Sequence, residues 1–357
     1  MTLPASGAMK MGGNVDVELS LSATAQISMG STNVRTLYGI ASGAIRLAAD
    51  GYGKSNRAAI SYTFNTNTNN ASLNVTSISG YVAGKSDITV TVNSGVYLWS
   101  NSTGNAGLTL SGGTSGDTVT LVNNGYIMGQ GGQGGGWASG GIAAATSGGT
   151  ALSLGFNTTI NNTNGSAYIG GGGGGGGSGS TYGSGGGGAG GGVSGGFDGT
   201  NTTSVISPSA GGAIGSTGSN GTINAGTNPD ATGGGGGRVF PGTGGTANSA
   251  NGSKTQGIGY GGGSGGGGGA ANQSGNGYTL VGGTGGSANS GGTNASSGGT
   301  LAGAGGGGGG WGASGGSGRS DGANNYSGGS GGKSVALNGY TVSWVSGDTT
   351  RVYGAVS

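Results

Sequence analysis

Gly170-Gly171-Gly172-Gly173-Gly174-Gly175-Gly176-Gly177 is the stretch that decides how this chain folds. Eight consecutive residues without a Cβ add nothing to an apolar core, and glycine loses more conformational freedom on ordering than any other residue. Similar runs recur at 185–188, 190–192, 233–237, 261–263, 265–269 and 305–310. Of the 103 glycines in 357 residues, all but 20 lie between Tyr126 and Gly332. That region must either stay disordered or pack backbone against backbone.

Gly/Ser composition alone favours a flexible linker. Against this, Trp137, Phe156, Phe197, Phe240, Tyr260, Tyr278 and Trp311 punctuate the tract, and an expanded coil would leave those rings in water. A collagen triple helix needs glycine at every third position with abundant proline, and the chain has 4 prolines. The irregular recurrence of the runs, and the lack of aspartates, argue against a calcium-binding nonapeptide array. The ordered form that remains is polyproline II geometry adopted by glycine. It has three residues per turn, so residues 170–177 would make a rod of about 25 Å. Rods lacking Cβ atoms approach closely enough for lateral N–H···O=C bonds, helped by Cα–H···O contacts. A lone rod would melt, whereas a bundle clamped at its edges holds at roughly 1 kcal/mol per hydrogen bond.

The flanks are of different character. In residues 1–55, Ala5-Ser6-Gly7-Ala8-Met9-Lys10-Met11 is echoed by Ala41-Ser42-Gly43-Ala44-Ile45-Arg46-Leu47. Val34, Leu37 and Tyr38 fall at i, i+3, i+4 behind Ser31 and Thr32, the signature of a short capped helix. This small module is suited either to docking on a partner or to capping the next domain. From 56 to 125 the period becomes two, as in Ile88-Thr89-Val90-Thr91-Val92, which predicts a compact β domain, sandwich or short solenoid. Residues 126–332 form the expected polyglycine II bundle with its loops. The closing 333–357, with Tyr340-Thr341-Val342-Ser343-Trp344-Val345 and Thr350-Arg351-Val352-Tyr353 around Gly347-Asp348, reads as a β-hairpin. The fold class expected is therefore mainly β and irregular.

Charge excludes several functions. With 11 basic and 9 acidic side chains scattered singly, no patch could neutralise a run of phosphates or hold an anionic membrane. Neither nucleic acid nor membrane insertion is expected. The absence of cysteine and histidine removes disulfides, thiolate metal sites and imidazole chemistry, and no cofactor is implied. Lys54-Ser55, Lys85-Ser86 and Lys333-Ser334 each follow a glycine, but Ala48, Ser79 and Ser327 stand where a phosphate loop needs a second glycine. The acids are dispersed, so a glycosidase pair such as Asp198 and Asp321 could meet only through folding. A non-enzyme is expected. The start, Met1-Thr2-Leu3-Pro4, lacks the basic and apolar regions of a signal peptide, so assembly in a cytoplasm is expected.

Glycine rods joined by aromatic and Asn/Thr loops, behind a small module and a β domain, resemble the phage tail-fibre adhesins of the T-even type with a polyglycine II sandwich. Leu3-Pro4-Ala5-Ser6-Gly7, Ser22-Ala23-Thr24-Ala25-Gln26-Ile27-Ser28-Met29, Tyr340 to Gly347 and Arg351 to Val356 also look like segments of phage tail proteins. The N-terminal module departs from the adhesin pattern and is more similar to that of other tail proteins. The resemblance implies a virion protein whose residues 1–55 dock on a tail-fibre or tail-tip protein. It also implies loops that bind a host outer-membrane protein or surface glycan.

Rings supply contact area at low entropy cost, and Asn, Ser and Thr add adaptable hydrogen bonds. The candidate receptor-binding residues are accordingly Trp137, Phe197, Asp198, Arg238, Phe240, Tyr260, Tyr278, Trp311, Arg319 and Tyr326. Consecutive loops lie at opposite ends of antiparallel rods, so about half of the rings should face away from a receptor and seal the bundle. Val34, Leu37 and Tyr38 are the candidates for fibre attachment. Two other readings are a non-catalytic structural virion protein, such as a fibre joint or cap, and an ice-binding bundle, which the irregular loops disfavour.

Overall fold

The computed structural model describes the chain except residues 1–2, 23–24, 52, 139–140, 180–182, 197–206, 222, 225–229, 241–248, 251–259, 262–271, 276–277, 298–303, 320–324 and 346–348. The β domain is a solenoid, which settles the choice left open between sandwich and solenoid. Each rung contributes one strand to each of three parallel sheets. The first rung is Ala58–Phe64, Thr68–Asn69 and Ala71–Asn74; the second is Ser86–Val92, Tyr97–Trp99 and Leu108–Ser111. The third is Thr118–Asn123, Tyr126–Met128 and Leu152–Leu154; the fourth is Thr158–Asn161, Tyr168–Gly170 and Val335–Ala336. Val342–Trp344 and Val352–Tyr353 begin a fifth rung, which Val356 completes by bridging Val335.

Period-two sequence builds this shape because each strand sends alternate side chains inward, and parallel register stacks like on like. In the first sheet Tyr62, Val90, Leu121, Ile160 and Trp344 lie directly above one another. Leu98, Ile127 and Ile169 do the same in the second sheet, as do Leu108 and Leu152 in the third, and all five are fully buried. Each such aliphatic contributes roughly 1.5–3 kcal/mol through burial. Polar rungs stack too: Asn123 Nδ2 donates to Asn162 Oδ1 across 2.9 Å inside the prism.

The final segment is not a hairpin. Val342–Trp344 pairs in parallel with Thr158–Asn161, and Val352–Tyr353 pairs in parallel with Tyr168–Gly170. The physical reason is that the fourth rung offers an unpaired edge to both strands. Parallel pairing there keeps Trp344 on the Ile160 column, whereas a local hairpin would leave that core open. The expected turn at Gly347-Asp348 lies outside the described residues.

The glycine region is not a separate string of rods but an outgrowth of this solenoid. In the first two rungs the second sheet connects to the third through Asn70 and through residues 100–107. In the next two the link swings out, over 129–151 and over 171–334, before returning to the third sheet. The run 170–177 lies at the centre, and its hydrogen bonds repeat every three residues. Gly172 and Gly175 donate to Gly149 and Thr146, Gly173 and Gly176 to Ala189 and Gly186, and Gly174 and Gly177 to Ala313 and Gly316, all at 2.8–3.0 Å. Its carbonyls accept in the same rhythm from Gly129, Gly132 and Gly135, from Gly312, Gly309 and Gly306, and from Gly332 and Gly329. One rod thus touches six others, each backbone group is satisfied, and three residues per turn is read directly from the bond pattern.

Glycine is required here by space rather than by dihedral angle. A Cβ on Gly173 would collide with the carbonyls of Gly309 and Gly310, and one on Gly174 with that of Gly329. The bundle excludes side chains as strictly as a side-chain core excludes voids.

Residues 3–55 enclose a core of their own, formed by Leu3, Met9, Val15, Leu19, Val34, Leu37 and Tyr38. The internal echo is structural: Gly7 and Gly43 take matching φ angles of 89° and 90°. Lys10 N–H donates to Asn14 Oδ1 (2.8 Å) as Arg46 N–H does to Asp50 Oδ2 (2.6 Å).

Candidate functional site

Because the rods alternate in direction, the bundle has two unlike ends. The end against the solenoid carries short turns at 190–192, 213–216, 288–290 and 311–312, together with residues 238–240. Gly190 and Gly191 form the first of these with φ of 100° and 79°, which glycine alone adopts freely. The far end carries antiparallel strand pairs, in contrast to the parallel solenoid. They are Gly136–Ala138 with Gly141–Ala143, Ile223–Asn224 with Asp230–Ala231, Ser249–Ala250 with Tyr260–Gly261, and Gly318–Arg319 with Asn325–Tyr326. A three-stranded sheet of Asn272–Gly275, Tyr278–Val281 and Ser296–Ser297 lies among them. Most of the connecting turns lie outside the described residues.

This polarity sorts the sequence-predicted site residues into two groups. Trp137, Tyr260, Tyr278, Arg319 and Tyr326 have their backbones in far-end strands. Trp137 pairs with Ile142, and Tyr278 with Gly275. Arg319 is exposed and exchanges backbone hydrogen bonds with Ala304, while Tyr326 is half-buried. Phe197 and Asp198 lie outside the described residues.

Arg238, Phe240 and Trp311 belong to the opposite end, and there the receptor-loop expectation is corrected. Phe240 stacks on Tyr126 and Tyr168, centroids 6.1 and 5.0 Å away, and on Trp311 at 4.2 Å. Trp311 is 1% exposed, and its indole N–H donates to Val239 O at 3.0 Å. Arg238 donates through Nε to Gly190 O (3.0 Å) and through Nη2 to Gln130 Oε1, and burial lowers its pKa from the usual arginine value. The physical reason is that short turns leave an apolar seam between bundle and solenoid, and rings close it. Nothing could reach Trp311 without opening that seam.

The partners of these rings are what sequence reasoning missed. Tyr97, Tyr126 and Tyr168 stand in register on the outer face of the second sheet, with Tyr97 and Tyr126 stacked at 4.4 Å. Tyr353 completes the cluster, 5.9 Å from both Tyr168 and Phe240. The signal was a recurring tyrosine followed by an aliphatic residue, in Tyr97-Leu98, Tyr126-Ile127 and Tyr168-Ile169.

The attachment candidates are corrected as well. Val34, Leu37 and Tyr38 lie on helix Thr32–Tyr38, and all three are buried in the interior of the module. Tyr38 donates to Leu47 O (3.0 Å), and burial raises its pKa above the usual phenol value. The i, i+3, i+4 pattern marked a core stripe, so these residues shape the module rather than face a partner.

Among the described residues there is no cluster of three or more metal-ligating side chains, and no helix long and apolar enough to cross a membrane. Residues 59–257 match the family model of the phage tail fibre adhesin Gp38. The chain belongs to this adhesin family. The matched span begins in the first rung and leaves the N-terminal module outside it. The adhesin is also similar to the crystal structure of the gp37-gp38 adhesin tip complex of the bacteriophage S16 long tail fiber. The two are 16% identical with a TM-score of 0.39, over 99% of this chain and 100% of that one. No curated protein sequence matches it. As a phage tail fibre adhesin the chain is a virion protein of the tail fibre.

Proposed function

We propose that this adhesin binds a host bacterial surface receptor through the far end of its glycine bundle, and attaches to a tail fibre or tail protein through residues 1–55. The observation that carries the reading is polarity. Among the described residues the turns against the solenoid, such as 190–192 and 311–312, are short, while the antiparallel strand pairs stand at the other end and include the backbones of Trp137, Tyr260, Tyr278, Arg319 and Tyr326. Phe197 and Asp198 join this set by chain position, in the connection between two rods.

Hexagonal packing supports the role physically. A rod held by six neighbours is stiff, so its hairpins are presented without the ordering cost of a flexible loop. Hairpin sequences can then vary without disturbing the rods, because the backbone alone carries the scaffold. The receptor is an outer-membrane protein or a surface glycan, recognition is non-catalytic, and assembly precedes release from the host cytoplasm.

The test is adsorption to host cells by phage carrying alanine at Trp137, Tyr260, Tyr278 and Tyr326. Loss of adsorption with an intact fold, measured by thermal unfolding, supports the reading. Unchanged adsorption by the combined variant would favour a fibre joint or cap.

A further inference from the structure

Outside the bundle, the outer face of the third sheet carries a cleft of about 480 Å³, within the range of small-ligand sites. Its floor is a column of hydroxyls: Ser72, Thr109 and Ser153 stand in register on successive rungs. One wall is the loop Thr103 to Ala106 of the second rung, and Asn338 forms the end. Among the described residues, no Lys, Arg, Asp, Glu or aromatic side chain lines it.

The cleft is braced from behind. The one Ser100 Oγ proton is shared between Asn70 Oδ1 (2.9 Å) and Ser102 O (2.7 Å), and Asn70 Nδ2 donates to Asn101 Oδ1 (3.0 Å), which fixes the wall loop. Asn338 Nδ2 donates to Ser153 Oγ (2.9 Å) and Leu154 O (3.0 Å). Ser72, Thr109 and Asn105 line the cleft with hydroxyl and amide side chains. The first sheet provides a comparison: Thr89, Thr120 and Thr159 form a similar column in register, and none of them lines the cleft.

We infer that this cleft is a second binding site, for a neutral saccharide chain. A floor of sheet backbone already paired within the sheet offers no main-chain partners to a peptide, and the absence of charge and rings disfavours anionic or apolar ligands. Hydroxyl and amide groups spaced by one rung, about 4.8 Å, match a ligand that presents hydroxyls repeatedly along its length. The site lies on the solenoid and does not depend on the bundle tip.

The experiment screens the full chain against an array of neutral hexose and N-acetylhexosamine oligosaccharides, followed by saturation-transfer NMR on any that is retained. Thr109→Arg and Ser153→Arg, both on the solvent face, should weaken binding at least about tenfold. Thr120→Arg, on the first-sheet column outside the cleft, should leave it unchanged. The inference is overturned if no neutral oligosaccharide is retained, if the two cleft variants bind as the parent does, or if Thr120→Arg weakens binding as much as they do.

Discussion

A single methyl group placed inside the bundle measures how tightly the rods are packed. In Gly175→Ala the new Cβ points at the Gln133 carbonyl and the Gly134 nitrogen of the neighbouring rod, with the carbonyl far inside van der Waals contact. The rods must separate, and overpacking of this kind costs about 1–3 kcal/mol. Separation also stretches the bonds by which Gly132 and Gly135 donate to Gly173 and Gly176, each 2.8 Å now, at about 1 kcal/mol apiece. Alanine returns about 0.4–1 kcal/mol by restricting the unfolded chain, leaving a net loss near 3 kcal/mol. For 357 residues at about 2.1 cal/mol/K per residue, that lowers Tm by about 4 °C. Differential scanning calorimetry reads this directly. The control is Gly165→Ala, where a Cβ would meet nothing within 4 Å, so Tm should hold or rise slightly. If Gly175→Ala melted within about 1 °C of the parent, close backbone packing would not be the source of stability.

Trp311→Ala opens the seam and leaves Val239 O without its donor, so a loss of about 3–5 kcal/mol is expected, together with the near-ultraviolet dichroism of the stacked rings. An unchanged melting curve would contradict the seam's structural role. Asp117 gives a pH prediction. Burial alone would raise its carboxyl, but hydrogen bonds from Ser86 N–H (3.0 Å), Thr114 N–H (2.8 Å) and Tyr81 Oη (2.8 Å) outweigh that and hold the pKa below the usual carboxylate value. A depressed folded pKa stabilises at neutral pH, and the contribution disappears as pH falls below about 4. Asp117→Asn should therefore melt below the parent at pH 6 and lose less on acidification to pH 3; parallel pH slopes would refute the assignment.

The sequence carried the material of the fold more clearly than its topology. Three residues per turn and lateral bonding followed from runs such as 170–177, because only glycine permits that packing, and period two marked the solenoid strands. What could not be read was that Tyr168–Gly170 and Val335–Ala336 are strands of one rung separated by the whole bundle. Parallel pairing has no local turn to announce it, so Val342–Trp344 and Val352–Tyr353 passed for a hairpin. The same gap affected the site. Trp137 and Phe240 are equally plausible recognition residues as isolated rings, and only rod direction sends one to the tip and the other onto Tyr126. Val34, Leu37 and Tyr38 were legible as a helical stripe, but a stripe does not say whether it covers its own core or a partner's.

The central claim is that glycine amides in the bundle are held by neighbouring rods as firmly as strand amides are held in the solenoid. Hydrogen–deuterium exchange over a peptide spanning Gly172 to Gly177, compared with one spanning Ser86 to Val92, tests it most directly. The account predicts protection of the same order in both peptides. Complete exchange of the glycine peptide at the first time point, with the strand peptide still protected, would contradict it.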